Sequence, residues 1–207
     1  MNKPLRSFAV VPAAGRSSRM GRHKLLLPWG NATVIESVLS RWQQSQVDRI
    51  VVVVRQNDLE LIHICRQAGA EVVVPSRDPE QMKTSVQIAL RHIEQQYAPC
   101  DSDAWLLAPA DMPELSENVV DRLLQVYSDC PAAILAPTYN DRRGHPVLFS
   151  WRVQREVHQL SADEGVDSVL RRNEVYELQC PSIEIHQDLD TPADYDKACS
   201  RQAKRPR

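Results

Sequence analysis

The chain has 207 residues, 43% hydrophobic and 25% charged, which is typical of a soluble globular protein with a single α/β domain. Its formal net charge of −2 gives no general positive surplus, so we expect neither nucleic acid nor a membrane as a partner. The apolar runs are short, as at 50–54, and none predicts a segment that spans a bilayer.

Short apolar runs alternate with amphipathic stretches along the first half of the chain. A strand at 8–11 is followed by a helix from Thr33 to Ser45, where Glu36 stands three residues after Thr33 in a capping-box pattern. The pattern then predicts a strand at 49–54, a helix from Asp58 closed by Gly69, a strand at 72–74 and a helix at 82–96.

The alternation continues in the second half. It predicts a strand at 104–108, a helix capped by Ser116, strands at 132–136 and 146–149, helices near 152–160 and 164–172, short strands at 175–178 and 183–185, and a helix after Pro192. This order indicates a mainly parallel sheet with helices on both faces. We predict one domain over 1–200 and a basic, disordered tail over 201–207.

The five cysteines are far apart in the sequence and form no CxxC pair: Cys65, Cys100, Cys130, Cys180 and Cys199. This spacing argues against a disulfide scaffold or a structural zinc site. We therefore expect a reducing compartment, the cytoplasm.

The segment 13–24, directly after the first strand, holds two glycines, Gly15 and Gly21, and four permanent cations. Its cations are Arg16, Arg19, Arg22 and Lys24. Bare backbone N–H groups surrounded by positive charge are suited to a polyphosphate. The alternative is a solvated basic loop. The spacing matches neither the GxGxxG of dinucleotide sites nor a P-loop.

Two acidic segments are candidates for a metal site. Asp111 follows the strand at 104–108, and carboxyl ends of parallel strands form the ligand crevice of open α/β sheets. Asp188 and Asp190 lie two residues apart near the C-terminus, so an extended backbone puts them on one face. Mg²⁺ prefers one or two carboxylates together with phosphate oxygens. Asp111 could instead cap a turn, and either Asp190 or Thr191 could cap the last helix.

Gly144, followed by His145 and Pro146, forms a further candidate segment. Glycine permits close approach of a ligand to the main chain. We interpret His145 as a substrate contact, with packing under the loop as the alternative. Of the other glycines, Gly165 falls in a candidate segment, whereas Gly30 and Gly69 are interpreted as turn and helix-stop residues.

Together these motifs resemble the MobA-like NTP transferases, in particular their molybdenum cofactor cytidylyltransferase branch. The resemblance covers about 8–195 and rests on four motifs in family order: Ala-Ala-Gly-x-Ser-x-Arg-Met-Gly-x-x-Lys, Asp-Met-Pro, Gly-His-Pro and Asp-x-Asp-Thr-Pro-x-Asp-Tyr. It implies a three-layer Rossmann-like nucleotidyltransferase fold. It also implies a reaction in which a nucleoside triphosphate and the phosphate of a molybdopterin-type acceptor give a dinucleotide and pyrophosphate.

The resemblance also assigns roles to residues. Catalysis would fall to Lys24, Arg19 and Asp111, with Mg²⁺ held by Asp111 and Asp190. Gly144 and His145 would bind the acceptor. The nucleotide would be bound by Ala13, Ala14, Gly15, Ser17, Arg19, Gly21, Lys24 and Ser85.

The start of the glycine loop bears on the choice of base. The guanylyl branch resembles Leu-Ala-Gly-Gly there and the cytidylyl branch Ala-Ala-Gly, whereas this chain has Pro12-Ala13-Ala14-Gly15. The Ala14 methyl would narrow the pocket, which favours CTP over GTP. Asp167 departs from the family pattern, because it stands where an arginine is usual and reverses the local charge.

Three readings of the function follow. The first is a Mg²⁺-dependent transfer of CMP to a molybdopterin-type acceptor, with a molybdoenzyme as a further candidate partner. The second is a nucleotidyltransferase for another phosphorylated acceptor, such as a sugar or alditol phosphate. The third is a binding protein that delivers a nucleotide or pterin without turnover.

Overall fold

The computed structural model describes residues 5–16, 20, 23–129, 132–181 and 183–202 of the chain. The strands are β1 (Ser7–Pro12), β2 (Pro28–Trp29), β3 (Ala32–Thr33), β4 (Arg49–Val53), β5 (Glu71–Val73), β6 (Ala104–Leu107), β7 (Ile134–Tyr139), β8 (Arg142–Arg143), β9 (Val147–Ser150) and β10 (Val175–Gln179). The helices are α1 (Val34–Gln44), α2 (Leu59–Gln67), α3 (Met82–Tyr97), α4 (Glu117–Asp129), α5 (Gln154–His158), α6 (Asp167–Arg172) and α7 (Pro192–Gln202).

Eight of these strands form one sheet in the order β10-β7-β9-β6-β1-β4-β5, with β8 paired to β7, while β2 and β3 form a separate hairpin. The neighbours of β1, which are β4 and β6, both run parallel to it. β9 runs antiparallel to both β6 and β7. The predicted mainly parallel sheet is therefore confirmed, with β9 and the short β8 reversed.

Helices cover both faces of this sheet, as predicted. Buried residues of α1, α2, α4 and α7 pack with Ala9 and Val11 of β1 on one face. Buried residues of α3, α5 and α6 pack with Phe8 and Val10 on the other. Alternate residues of β1 thus serve opposite cores, as the period of two along a strand requires. The result is the predicted three-layer α/β architecture.

Several local predictions are confirmed by hydrogen bonds. The side chain of Thr33 accepts from the Glu36 backbone, and Glu36 accepts from the Thr33 backbone N–H, so the capping box begins α1. Gly30 and Gly69 have φ of +62° and +70°, the left-handed region that suits a turn and a helix stop.

One predicted strand is wrong. Residues 183–185 lie in a 3₁₀ turn, Ile183–His186, in which Ile183 is exposed and Ile185 is buried. The two isoleucines alternate like a strand, but in a 3₁₀ turn residues two apart point in different directions.

Two further findings concern where the last helix ends and whether a helix could cross a membrane. α7 extends to Gln202, two residues into the predicted tail, and 203–207 lie outside the described residues. Within the part of the chain that the structure describes, no helix combines the length and apolar character needed to cross a bilayer.

Candidate active site

A cleft of about 630 Å³ lies at the carboxyl ends of β1 and β6. Three stretches line it, 12–16 after β1, 79–85 at the start of α3 and 109–111 after β6, together with Lys24 and Leu25. In the sheet, β1 lies between β4, the next strand of this sheet along the chain, and β6, to which the chain returns later. This is a topological switch point, where open α/β sheets bind their ligands.

The loop after β1 forms one wall of this cleft. Ala13 and Ala14 are buried, and the Ala13 N–H donates to the Val53 carbonyl at 2.9 Å. Gly15 and Arg16 are exposed and also line the cleft. A Cβ added at Gly15 would meet no heavy atom of the described residues within 4 Å, so its backbone faces open space that a ligand can enter.

Three predicted residues of this loop, Ser17, Arg19 and Gly21, lie outside the described residues. Their assignment to the triphosphate, and that of Arg19 to catalysis, stays a prediction.

Lys24 meets two of the predicted carboxylates, one of which, Asp111, also lines the cleft. It begins a 3₁₀ turn, Lys24–Leu26, and its Nζ forms an ion pair with Asp111 Oδ2. The same Nζ lies 3.5 Å from Asp190 Oδ1. Lys24 thus meets one carboxylate 87 positions away and a second one still further along the chain. We call Lys24, Asp111 and Asp190 the lysine–carboxylate cluster.

Asp111 is the most enclosed carboxylate of this cluster, with 7% of the residue exposed. Its backbone carbonyl accepts from the Leu189 N–H at 3.1 Å, which ties the two acidic segments together. Its Oδ1 is buried and has no hydrogen-bond partner among the described residues. A buried carboxylate oxygen without a partner is costly in the unliganded protein, so it indicates a ligand that brings positive charge.

The C-terminal acidic segment divides its roles among its side chains. The Thr191 hydroxyl accepts from the Asp194 N–H at 3.2 Å, and Asp194 Oδ2 accepts from the Thr191 N–H at 2.9 Å, so this pair begins α7. Asp190 is thereby left to face Lys24. The side chain of Asp188 is exposed to solvent. Partial desolvation by the surrounding protein is the main cause that raises the pKa of Asp188, and the negative charge of the Asp111 carboxylate is the next.

The cluster fits a divalent cation of the Mg²⁺ type. Asp111 offers its unpartnered Oδ1 and Asp190 a half-exposed carboxylate, and Mg²⁺ completes such a pair with phosphate oxygens and water. Among the residues that the structure describes, no group of three His, Cys, Asp or Glu side chains is close enough to hold a metal by itself.

The start of α3 forms the opposite wall. Ser85 is buried and lines the cleft, and its assignment to the nucleotide stays a prediction. Sequence reasoning missed its neighbour Lys83, which is 8% exposed and whose Nζ donates to the carbonyls of Ser161 and Ala162. A lone lysine in an amphipathic helix reads as a surface residue, so only the tertiary contact reveals this buried ammonium.

The segment Gly144-His145-Pro146 has an internal explanation for its glycine. A Cβ at Gly144 would lie 2.4 Å from the Ile185 carbonyl oxygen, so the close approach is to the protein's own backbone. The His145 N–H donates to that same carbonyl at 2.8 Å, and its Nδ1 lies 3.3 Å from the Leu107 carbonyl oxygen. Burial lowers the pKa of His145, which favours the neutral ring.

Neither Gly144 nor His145 is among the residues that line the 630 Å³ cleft. Their role in acceptor binding therefore stays a prediction. Asp167, in the first turn of α6, is exposed and pairs with Arg171 at 3.2 Å.

Comparison with known proteins identifies the family. The profile of the MobA-like NTP transferase domain matches residues 9–177. The chain belongs to the MobA-like NTP transferase family. It is therefore a nucleotidyltransferase, and the predicted resemblance is confirmed.

Curated relatives include enzymes named for two different nucleotides. The molybdenum cofactor cytidylyltransferase of Escherichia coli is 28% identical over 193 residues, 93% of this chain and 95% of that protein. A probable molybdenum cofactor guanylyltransferase of Bacillus mycoides is 29% identical over 157 residues, 75% of this chain and 74% of that protein.

Among solved structures, Rv0371c of Mycobacterium tuberculosis has a TM-score of 0.81 and 27% identity, covering 95% of this chain and 99% of that one. The same protein in complex with manganese has a TM-score of 0.77 and 26% identity, covering 94% of this chain and 98% of that one. This likeness confirms the fold predicted from the motifs.

Proposed function

We propose that the chain transfers CMP from CTP to the phosphate of a molybdopterin-type acceptor, with Mg²⁺ as cofactor and release of pyrophosphate. The observation that carries this proposal is the lysine–carboxylate cluster, in which Lys24 and Asp111 line the cleft and the buried Asp111 Oδ1 has no partner among the described residues. A cation and two carboxylates beside an open glycine backbone are the groups that a metal-bound triphosphate needs.

Attack on the α-phosphorus requires positioning and charge neutralisation more than covalent help. Lys24 is placed to offset negative charge on the phosphoryl groups, while Asp111 and Asp190 would hold the cation. Bound Mg²⁺ supplies Lewis-acid stabilisation of the charge that develops on the phosphate oxygens. The backbone of 13–16 lies beside this cluster and would accept the rest of the triphosphate.

The preference for CTP is supported by Ala14. It is buried, it lines the cleft, and its methyl takes up room that a purine would need. The Escherichia coli relative is named a cytidylyltransferase, and it aligns with nearly the whole chain. Relatives named guanylyltransferases also match the chain, so the preference for CTP over GTP is our proposal.

The acceptor class is supported by both named relatives, which act on the molybdenum cofactor. A molybdoenzyme that receives the product remains a candidate partner, and the cytoplasmic location stays a prediction. Asp167 motivates a second candidate, a different phosphorylated acceptor, because it places a carboxylate paired with Arg171 where the family motif has an arginine.

The test measures pyrophosphate release by the full chain with CTP or GTP and a panel of acceptors: molybdopterin, sugar phosphates and alditol phosphates. We expect release with CTP and molybdopterin, its loss on chelation of divalent metal, and its recovery on addition of Mg²⁺. Release with only a sugar or alditol phosphate would replace the acceptor in this proposal. Tight nucleotide binding without pyrophosphate, unchanged in Asp111→Ala, would instead identify a non-catalytic delivery protein.

A further inference from the structure

Helix α7 is fastened to the segments on either side of the lysine–carboxylate cluster. Its Tyr195 hydroxyl donates to the Pro28 carbonyl, in the hairpin that follows Lys24. At its other end, Arg201 Nη2 lies 2.9 Å from Glu114 Oε2, three residues after Asp111. α7 itself begins directly after Asp190, at the Thr191 cap. One helix therefore contacts or adjoins the segments that bear all three cluster residues.

The contact between Arg201 and Glu114 is unusual in its burial. Glu114 is 4% exposed, and a carboxylate at that depth is strongly destabilised if its cationic partner is removed. The pair joins residues 87 positions apart in the sequence. It thus fixes the far end of α7 against the turn that carries Asp111.

A second contact fixes the chain just before α7 to the same turn. The Leu189 N–H donates to the Asp111 carbonyl at 3.1 Å, and the Leu189 side chain is buried in the core. Asp190 is the next residue. Two contacts therefore hold Asp190 at a fixed distance from Asp111. One is the hydrogen bond from Leu189 to the Asp111 carbonyl, and the other is the Arg201–Glu114 pair at the end of α7.

We infer that Arg201 and Glu114 are positioning residues for the metal site, which they reach through α7 and the turn of Asp111. This inference rests on the proposed function, because it assumes that Asp111 and Asp190 hold a divalent cation. Mg²⁺ requires near-octahedral geometry, so a small shift between its two carboxylates weakens binding. Groups that orient metal ligands typically change metal affinity by about 10–100-fold when they are removed.

The chain offers a matched control on the same side of the sheet. Arg41 of α1 pairs with Glu117 of α4 at 3.2 Å, only three residues beyond Glu114. That pair joins α1 to α4, and neither of its residues belongs to the described segments that bear Lys24, Asp111 and Asp190. Arg41→Met removes the same functional group as Arg201→Met.

The experiment measures binding of Mn²⁺ to the full chain in the presence of CTP, without acceptor, from the relaxation rate of water protons. Thermal unfolding of each variant is recorded alongside. We expect wild type and Arg41→Met to bind Mn²⁺ equally, and Arg201→Met and Glu114→Gln to bind it at least about 10-fold more weakly while still folded. Arg201→Lys should recover part of the affinity, because it restores the charge but not the fork of donors.

Folded Arg201→Met with wild-type affinity for Mn²⁺ would overturn the inference and leave the proposed function intact. If Arg201→Met does not fold, Arg201→Lys and Glu114→Gln decide in the same way, and wild-type affinity in both would overturn the inference. Failure of the wild-type chain itself to bind Mn²⁺ with CTP or GTP would count against the proposed function.

Discussion

Two regions that sequence reasoning treated alike differ in the structure. The lysine–carboxylate cluster brings together charged residues from distant parts of the chain, and one buried oxygen in it has no partner among the described residues. At Gly144 and His145, by contrast, the close approach and the hydrogen bonds are to the protein's own carbonyls at Ile185 and Leu107. A buried carboxylate oxygen without a partner, beside converging charges, is thus stronger evidence for a ligand than a glycine beside a histidine.

The largest expected effect comes from the cluster. Lys24→Ala should lower turnover by about 10²–10³, by analogy with the loss of a single donor that stabilises transition-state charge. Steady-state pyrophosphate release measures this effect, with exposed Lys197→Ala of α7 as the control. A near-normal rate in Lys24→Ala would contradict a catalytic role for the lysine–carboxylate cluster.

The two glycines provide the next contrast. Gly144→Ala places a methyl 2.4 Å from the backbone oxygen of Ile185, so we expect the free energy of unfolding to fall by about 1–3 kcal/mol. Gly15→Ala meets no heavy atom of the described residues within 4 Å, so its stability should stay within about 0.5 kcal/mol of wild type, with weaker nucleotide binding instead. Denaturant unfolding of both variants tests this; equal stabilities would contradict the distinction between the two regions.

A smaller effect is expected from the choice of base. Ala14→Gly enlarges the cleft by one methyl, and one methyl in an apolar pocket changes specificity by about 10-fold or somewhat more. The ratio of kcat/KM for CTP and GTP should therefore move toward GTP by that factor. Comparable use of both nucleotides by the wild-type chain would eliminate this role of Ala14.

The smallest effect is expected at the surface of α6. Asp167→Arg removes the exposed pair with Arg171 and places a cation in the first turn, so stability should fall by less than about 1 kcal/mol. An anionic acceptor should bind up to about five-fold more tightly, with the KM for CTP unchanged. Kinetics with varied acceptor would show no change if α6 lies away from the acceptor's path.

The sequence predicted the elements well where a local pattern determines them. The capping box of α1 and the apolar run of β4 are readable because neighbours in the sequence are also neighbours in space. The predicted first strand ends one residue before the end of β1, directly before Pro12. The strand predicted at 132–136 ends three residues before the end of β7, directly before Pro137. Proline donates no ladder bond but still accepts, as Pro137 does from the Gly144 N–H at 2.8 Å.

What the sequence could not supply were facts about tertiary approach. The hairpin of β2 and β3 has only two residues in each strand, too few for a period to appear. The carbonyl partners of Lys83 are 78 and 79 residues away, and nothing in the local pattern signals them. The family resemblance assigns Lys24 and Asp111 to one site, and the structure brings the two side chains together in an ion pair.

The reversed direction of β9 has a further consequence for the connections around the cleft. Val147 at its start pairs with Leu107 at the end of β6, whereas Ser150 at its finish pairs with Ala104 at the opposite rim. The stretch that leads into β9, with its β7–β8 hairpin, therefore emerges at the ligand-facing rim. We therefore expect a longer hairpin to change the rim beside β9, while the cleft at the ends of β1 and β6 would keep its shape.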